Sequence, residues 1–122
     1  MTYIKINDTV FPATIVGKIT DSDWDDRSSK SIILEMSHAD ASSIFTNGVK
    51  WVIRQDNFVS EPILDEAGKP TGEYTEKNEP LEFDNSEYSL AGDIIDHRDG
   101  TITVKMGKPT DLENALEMLL NT

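Results

Sequence analysis

The run Asp21-Ser22-Asp23-Trp24-Asp25-Asp26 places carboxylates at the first, third and fifth positions, as a calcium loop does when it begins to wrap its ion. The remainder of such a loop is missing. Its sixth place holds Asp26 where a glycine makes the sharp turn, and its twelfth holds Ile32 where a bidentate glutamate closes the shell. The reading is therefore a solvated acidic turn with no metal ligand assigned. Its one apolar residue, Trp24, either folds its ring inward as core or stays at the rim as an interface anchor. His97-Arg98-Asp99 spells the start of a kinase catalytic loop, but the downstream asparagine and the phosphate-gripping elements are absent. His38 and His97 are the only histidines, and neither lies near a serine on a nucleophile elbow. Asp93 and Asp96 form a carboxylate pair suited in principle to acid–base work. With 23 acidic residues in the chain, however, such a pair carries little information. No cysteine is present, which removes disulfides, thiolate zinc sites, iron–sulfur clusters and thiol nucleophiles. The sequence assigns no catalytic residue and no cofactor, and the expectation is a protein that is not an enzyme.

The elements that would position any site are clearer. Residues 88–96 and 101–106 are strand-like runs flanking His97-Arg98-Asp99-Gly100. Gly100 can adopt the left-handed conformation that closes a three-residue loop with a bulge. That register sets His97 opposite Thr101 and stacks Ile94 on Val104. After Pro109, Thr110-Asp111-Leu112-Glu113 is a capping box that starts a helix. Leu112, Ala115, Leu116 and Leu119 recur at helical spacing, so this helix has one apolar face, expected to dock on the sheet. Further strands are expected at 3–6, 14–20, 31–37 and 49–55, with Ile32, Leu34 and Met36, and Val49, Trp51 and Ile53, as core positions. Ser37-His38-Ala39-Asp40 opens a short helix through Ile44 and Phe45. The opposite strand faces carry Val16, Ile33, Val52 and Ile95, so something covers them: the helices, a second sheet, or a neighbouring subunit. The fold class is α+β, mainly antiparallel sheet, barrel- or sandwich-like, with two short helices of which one is C-terminal.

The 122 residues fit a single domain, 1–122, large enough to need no covalent staple. The N-terminal residues lack the apolar run of a signal peptide, and no later run reaches membrane-spanning length, which implies a cytoplasmic protein. A net charge of −12 repels a phosphate backbone, and the basic residues are scattered, so neither nucleic acid nor membrane is expected as a partner.

Residues 57–87 change character, with Pro62, Pro70, Pro80, Gly68, Gly72 and many acids. This acidic segment is an arm or loop insertion, and Gly68-Lys69-Pro70-Thr71-Gly72 suits the turn of a protruding hairpin. Ile63, Leu64, Tyr74, Leu81 and Phe83 punctuate it as apolar anchors that a solvated loop would not need. With Trp24 they are the interface candidates. For Leu81 and Phe83 a second reading stands, that they tuck onto the domain.

In Phe11-Pro12-Ala13-Thr14-Ile15-Val16-Gly17-Lys18, in Asp23-Trp24-Asp25-Asp26-Arg27, and from Gly92-Asp93-Ile94-Ile95-Asp96 through His97-Arg98-Asp99-Gly100-Thr101 to Met106-Gly107-Lys108, the chain resembles small structural proteins of tail and baseplate modules in prophages of Gram-positive gut bacteria. The resemblance covers most of the chain outside the arm and rests on turns and strand edges. It implies a non-catalytic structural or assembly protein whose partners are other phage structural proteins or itself, located in the producing cell and, once assembled, in the virion. A different class remains open beside it: an acidic inhibitor that mimics nucleic acid to block a host nuclease or defence complex. A mimic needs acids in rows along rigid elements, whereas these gather in the 21–26 turn and the arm.

Overall fold

The computed structural model describes residues 1–120. Its strands are β1 (Thr2–Ile6), β2 (Thr9–Asp21), β3 (Arg27–Glu35), β4 (Val52–Gln55), β5 (Phe58–Leu64), β6 (Pro70–Asn78), β7 (Leu81–Asp84), β8 (Leu90–Asp96) and β9 (Thr101–Gly107). Helix α1 (His38–Ile44) lies between β3 and β4, and α2 (Asp111–Leu120) follows β9. Seven strands form one antiparallel sheet in the order β7-β4-β1-β2-β3-β9-β8, and β5 and β6 form a separate two-stranded sheet. The fold is mainly antiparallel α+β, as expected, but the large sheet is open and has two ends, so it is not a closed barrel.

Local chemistry explains the segments read correctly. Ser37 caps α1, its Oγ accepting from the Asp40 amide at 3.1 Å. The capping box of α2 forms both ways: the Thr110 amide donates to Glu113 Oε1 at 2.8 Å, and the Glu113 amide donates to Thr110 Oγ1 at 3.2 Å. At the β8–β9 turn Gly100 has φ +92°, the His97 amide donates to the Thr101 carbonyl, and Ile94 pairs with Val104.

One face of the sheet, the inner one, carries the core. Rows of paired residues cross it: Phe83–Ile53–Ile4–Phe11 over β7, β4, β1 and β2, and Ile15–Ile32–Val104–Ile94 over β2, β3, β9 and β8. Partners across antiparallel strands share a face, so these rows make one apolar surface. Ala41 and Phe45 from the α1 region, together with Trp51, join this core, and α1 packs against the β8 end of the sheet. The 85–89 link fastens this lid. Asn85 is buried: its amide donates to the Trp51 carbonyl, and its Oδ1 accepts from Lys30 Nζ. Trp51 Nε1 donates to the Tyr88 carbonyl at 3.0 Å.

On the outer face the 21–27 turn makes a second, polar nucleus. Trp24 folds inward, and its ring lies on the backbone at Gly92 and Gly107, where a Cβ would stand 2.7 Å and 2.8 Å from ring carbons. The two glycines are thus a floor for the indole. Arg27 and Lys105 approach the ring at 5.0 Å and 5.7 Å from its centroid. Gly107→Ala is expected to cost about 1–3 kcal/mol by overpacking, while Gly17→Ala, with no atom within 4 Å of the new carbon, leaves packing intact. Urea midpoints that coincide for the two variants would contradict this seating of Trp24.

Two expectations are corrected. Helix α2 does not dock on the sheet: none of its residues is buried, and Leu112 and Leu116 are 70% and 50% exposed. Its hold is at the first turn, where Arg27 Nη1 and Nη2 reach Glu113 at 2.5 Å and 3.2 Å. The arm is also shorter than residues 57–87. It consists of β5 and β6, whereas β7 belongs to the large sheet, paired with β4.

Candidate protein-interaction site

Among the described residues three surfaces are left uncovered, and most of the residues expected to carry function lie on them or beside them. In the acidic turn Asp21 points inward: its carboxylate is fully buried, 2.7 Å from Lys105 Nζ and 2.8 Å from Ser29 Oγ. A lysine thus supplies the positive charge that a calcium ion would bring. The Lys105 ammonium, then Ser29, hold the Asp21 carboxyl down at about 2. His97 Nε2 lies 2.7 Å from Thr103 Oγ1, and Asp96 accepts from the Arg98 amide, so these groups serve the β8–β9 turn. Among the described residues no three acidic or histidine side chains converge to hold a metal, and no helix is long and apolar enough to cross a membrane.

The first uncovered surface is the arm. Asp56 roots it, approaching the terminal amine of Met1 at 3.6 Å and accepting from Asn78 Nδ2 at 3.1 Å. The tip is set by Asp65, whose Oδ1 accepts from the Ala67 and Lys69 amides, with Gly68 at φ +77°. The turn thus runs over 65–69, sharing only Gly68 and Lys69 with the Gly-Lys-Pro-Thr-Gly centre expected from sequence, and Pro70 opens β6. Because side chains alternate along a strand, Phe58 and Pro62 share one face of the arm with Tyr74, the partner of Pro62, and the register shifts between Pro62 and Leu64. Phe58, Ile63, Leu64 and Tyr74 are all exposed. A solitary two-stranded hairpin is marginal in water, so this one gains most from a partner that covers it.

The second surface is a cleft of about 930 Å³ on the half of the inner face that α1 leaves open. Its floor is Phe11, Ala13, Ile15, Leu34 and Ile53, and Met1, Gln55, Glu35 and Thr101 lie at its border. Strand β7 extends it, since Phe83 and Leu81 pair with Ile53 and Gln55 and so share their face, each nearly half exposed. Of the candidates, Leu81 and Phe83 are brought to the cleft, Ile63, Leu64 and Tyr74 lie on the arm, and Trp24 is packed on the opposite face of the sheet.

The third surface is formed by Leu112 and Leu116 of α2, both exposed. Phe58, Phe11, Ala13 and Ile15 were not singled out from sequence as interface residues. The alternation of Phe11, Ala13 and Ile15 was available as a signal, but it became visible only once β2 was seen to start at Thr9.

No family model, curated protein or solved structure matches the chain.

Proposed function

We propose that this chain is a non-catalytic structural or assembly protein that works through protein–protein contact, as a component of a phage tail or baseplate. The observation that carries the reading is the arm: an ordered hairpin, paired only with itself among the sheets of the described residues, on which Phe58, Leu64 and Tyr74 stay exposed. Ordering such a segment costs conformational entropy that its few internal contacts do not return, so its burial belongs to an assembled state. The phage setting rests on the resemblance noted above. Acids engaged internally, such as Asp21 with Lys105 and Glu113 with Arg27, are withdrawn from any phosphate-like row, which disfavours nucleic-acid mimicry.

The test replaces Phe58–Asn78 by a short Gly-Ser linker. Closure entropy changes by only about 0.6 kcal/mol per doubling of loop length, so the thermal midpoint should stay within a few degrees of the parent. In particle fractions from the producing bacterium the parent chain is expected to co-sediment with phage particles and the arm-replaced chain to remain in the supernatant. A parent chain absent from particles, or a collapsed midpoint with particle association unchanged, would contradict the reading.

A further inference from the structure

The assembly reading leaves the partner open, and the cleft together with α2 narrows it. We infer that the cleft receives the apolar face of α2 from a second copy of this chain, giving a head-to-tail contact; the inference rests on the assembly reading.

Area comes first. The chain exposes 8303 Å², against about 6,600 Å² for a compact monomer of its mass. The excess is roughly twice the ~800 Å² that each partner gives to a standard interface. A subunit that both donates a helix and receives one buries two such patches.

Complementarity comes second. Helix α2 presents Leu112 and Leu116 one turn apart, the spacing by which an amphipathic helix anchors in an apolar groove. A ten-residue helix is marginal alone. The floor offered by Phe11, Ala13, Ile15, Leu34 and Ile53 is apolar and needs a partner without buried charge.

Placement comes third, and it excludes the chain's own helix. Thr101 at the start of β9 lines the cleft, and α2 follows the far end of that strand, about 20 Å away. The helix is about 15 Å long and is pinned through Glu113 to Arg27 on the outer face, while the cleft lies on the inner one. Where a contact between helix and cleft is not returned by the same neighbour it is heterologous, and it closes into a ring or grows as a filament.

The sheet edges offer a weaker alternative. Strand β7 is four residues long with Glu82 and Asp84 on it, and β8 begins with a bulge at which Asn47 Oδ1 already takes the Ala91 amide. Both features discourage strand addition.

The experiment is light scattering after size exclusion on the full chain, on Leu112→Glu/Leu116→Glu, on Ala13→Arg, on the arm-replaced chain, and on a mixture of the two point variants. The helix variant alters only exposed positions, so circular dichroism should show the parent fold and serves as the control for misfolding. The parent is expected above the 13.6 kDa of one chain. The helix variant should weaken self-association at least about 100-fold, the worth of two leucine side chains kept in water. Its mixture with Ala13→Arg should give one capped dimer and nothing larger, because one intact helix and one intact cleft remain. An assembling parent whose mass is untouched by the helix variant would overturn the contact while leaving the assembly reading standing. Loss of assembly on arm replacement alone would assign the cleft to the arm and overturn the helix. A parent that stays monomeric at every concentration overturns the inference outright. Particle association of the arm-replaced chain tests the broader reading separately.

Discussion

Trp51→Ala is expected to remove about 3–5 kcal/mol, a large part of the total stability of a domain this size. The indole is fully buried beneath Phe45 and the 85–89 link, at the junction between the lid and the inner face of the sheet. Truncation leaves a cavity, because Asn85 and Tyr88 are fixed by Lys30, Ser28 and the Trp51 carbonyl and cannot close over it. It also strips the Tyr88 carbonyl of the Nε1 donor. Trp51→Phe keeps most of the volume and loses the hydrogen bond, so its cost should be clearly smaller. Urea unfolding checks both variants, and equal midpoints for Trp51→Ala and the parent would show that the lid is not packed as described.

The second large effect is acid sensitivity centred on the outer face. The Asp21 carboxyl is held down at about 2 by Lys105, and Glu113 is held at about 2 chiefly by Arg27, then by the Thr110 amide. Asp84 and Asp99 are lowered as well, by Ser86 and Thr101. The ordinary values are 3.8 for aspartate and 4.5 for glutamate. A depressed folded-state pKa stabilises the fold above the unfolded value, and that stability is lost as pH falls through the folded one. The expected window therefore runs from about 4.5 down to about 2. Within it the Trp24 emission should move to the red as Asp21 protonates and the Lys105 ammonium loses its partner. Asp21→Asn should destabilise the protein at neutral pH and flatten the profile through this window. A variant with the parent's profile would mean that Asp21 is not paired in solution.

What the sequence disclosed was local. The Thr110–Glu113 capping box, the Ser37 cap and the Gly100 turn each depend on residues within one turn of one another, and each forms as expected. What it concealed depends on distant pairing. The strand expected at 14–20 reaches back to Thr9, through Pro12, because its early residues pair with β1. Leu81 and Phe83 follow an acidic stretch and looked like part of the arm until their pairing with Gln55 and Ile53 placed them on the sheet. The periodicity of Leu112, Ala115, Leu116 and Leu119 correctly marks an apolar helix face, but periodicity does not say whether the covering surface belongs to the same chain. The expected docking on the sheet failed at that point. The open half of the inner face was hidden for the same reason: Phe11, Ala13 and Ile15 alternate like core residues, and only the extent of the α1 lid distinguishes them from Ile32 and Val104.

If another copy of this chain covers the apolar surface it leaves open, mass measured against concentration and salt will show it. Two copies at −12 repel each other, so screening should favour an apolar contact between them. Light scattering on the unaltered protein is expected to show a mass above 13.6 kDa that grows with concentration and grows again when salt is raised. A mass of one chain at every concentration and every salt level would contradict the account.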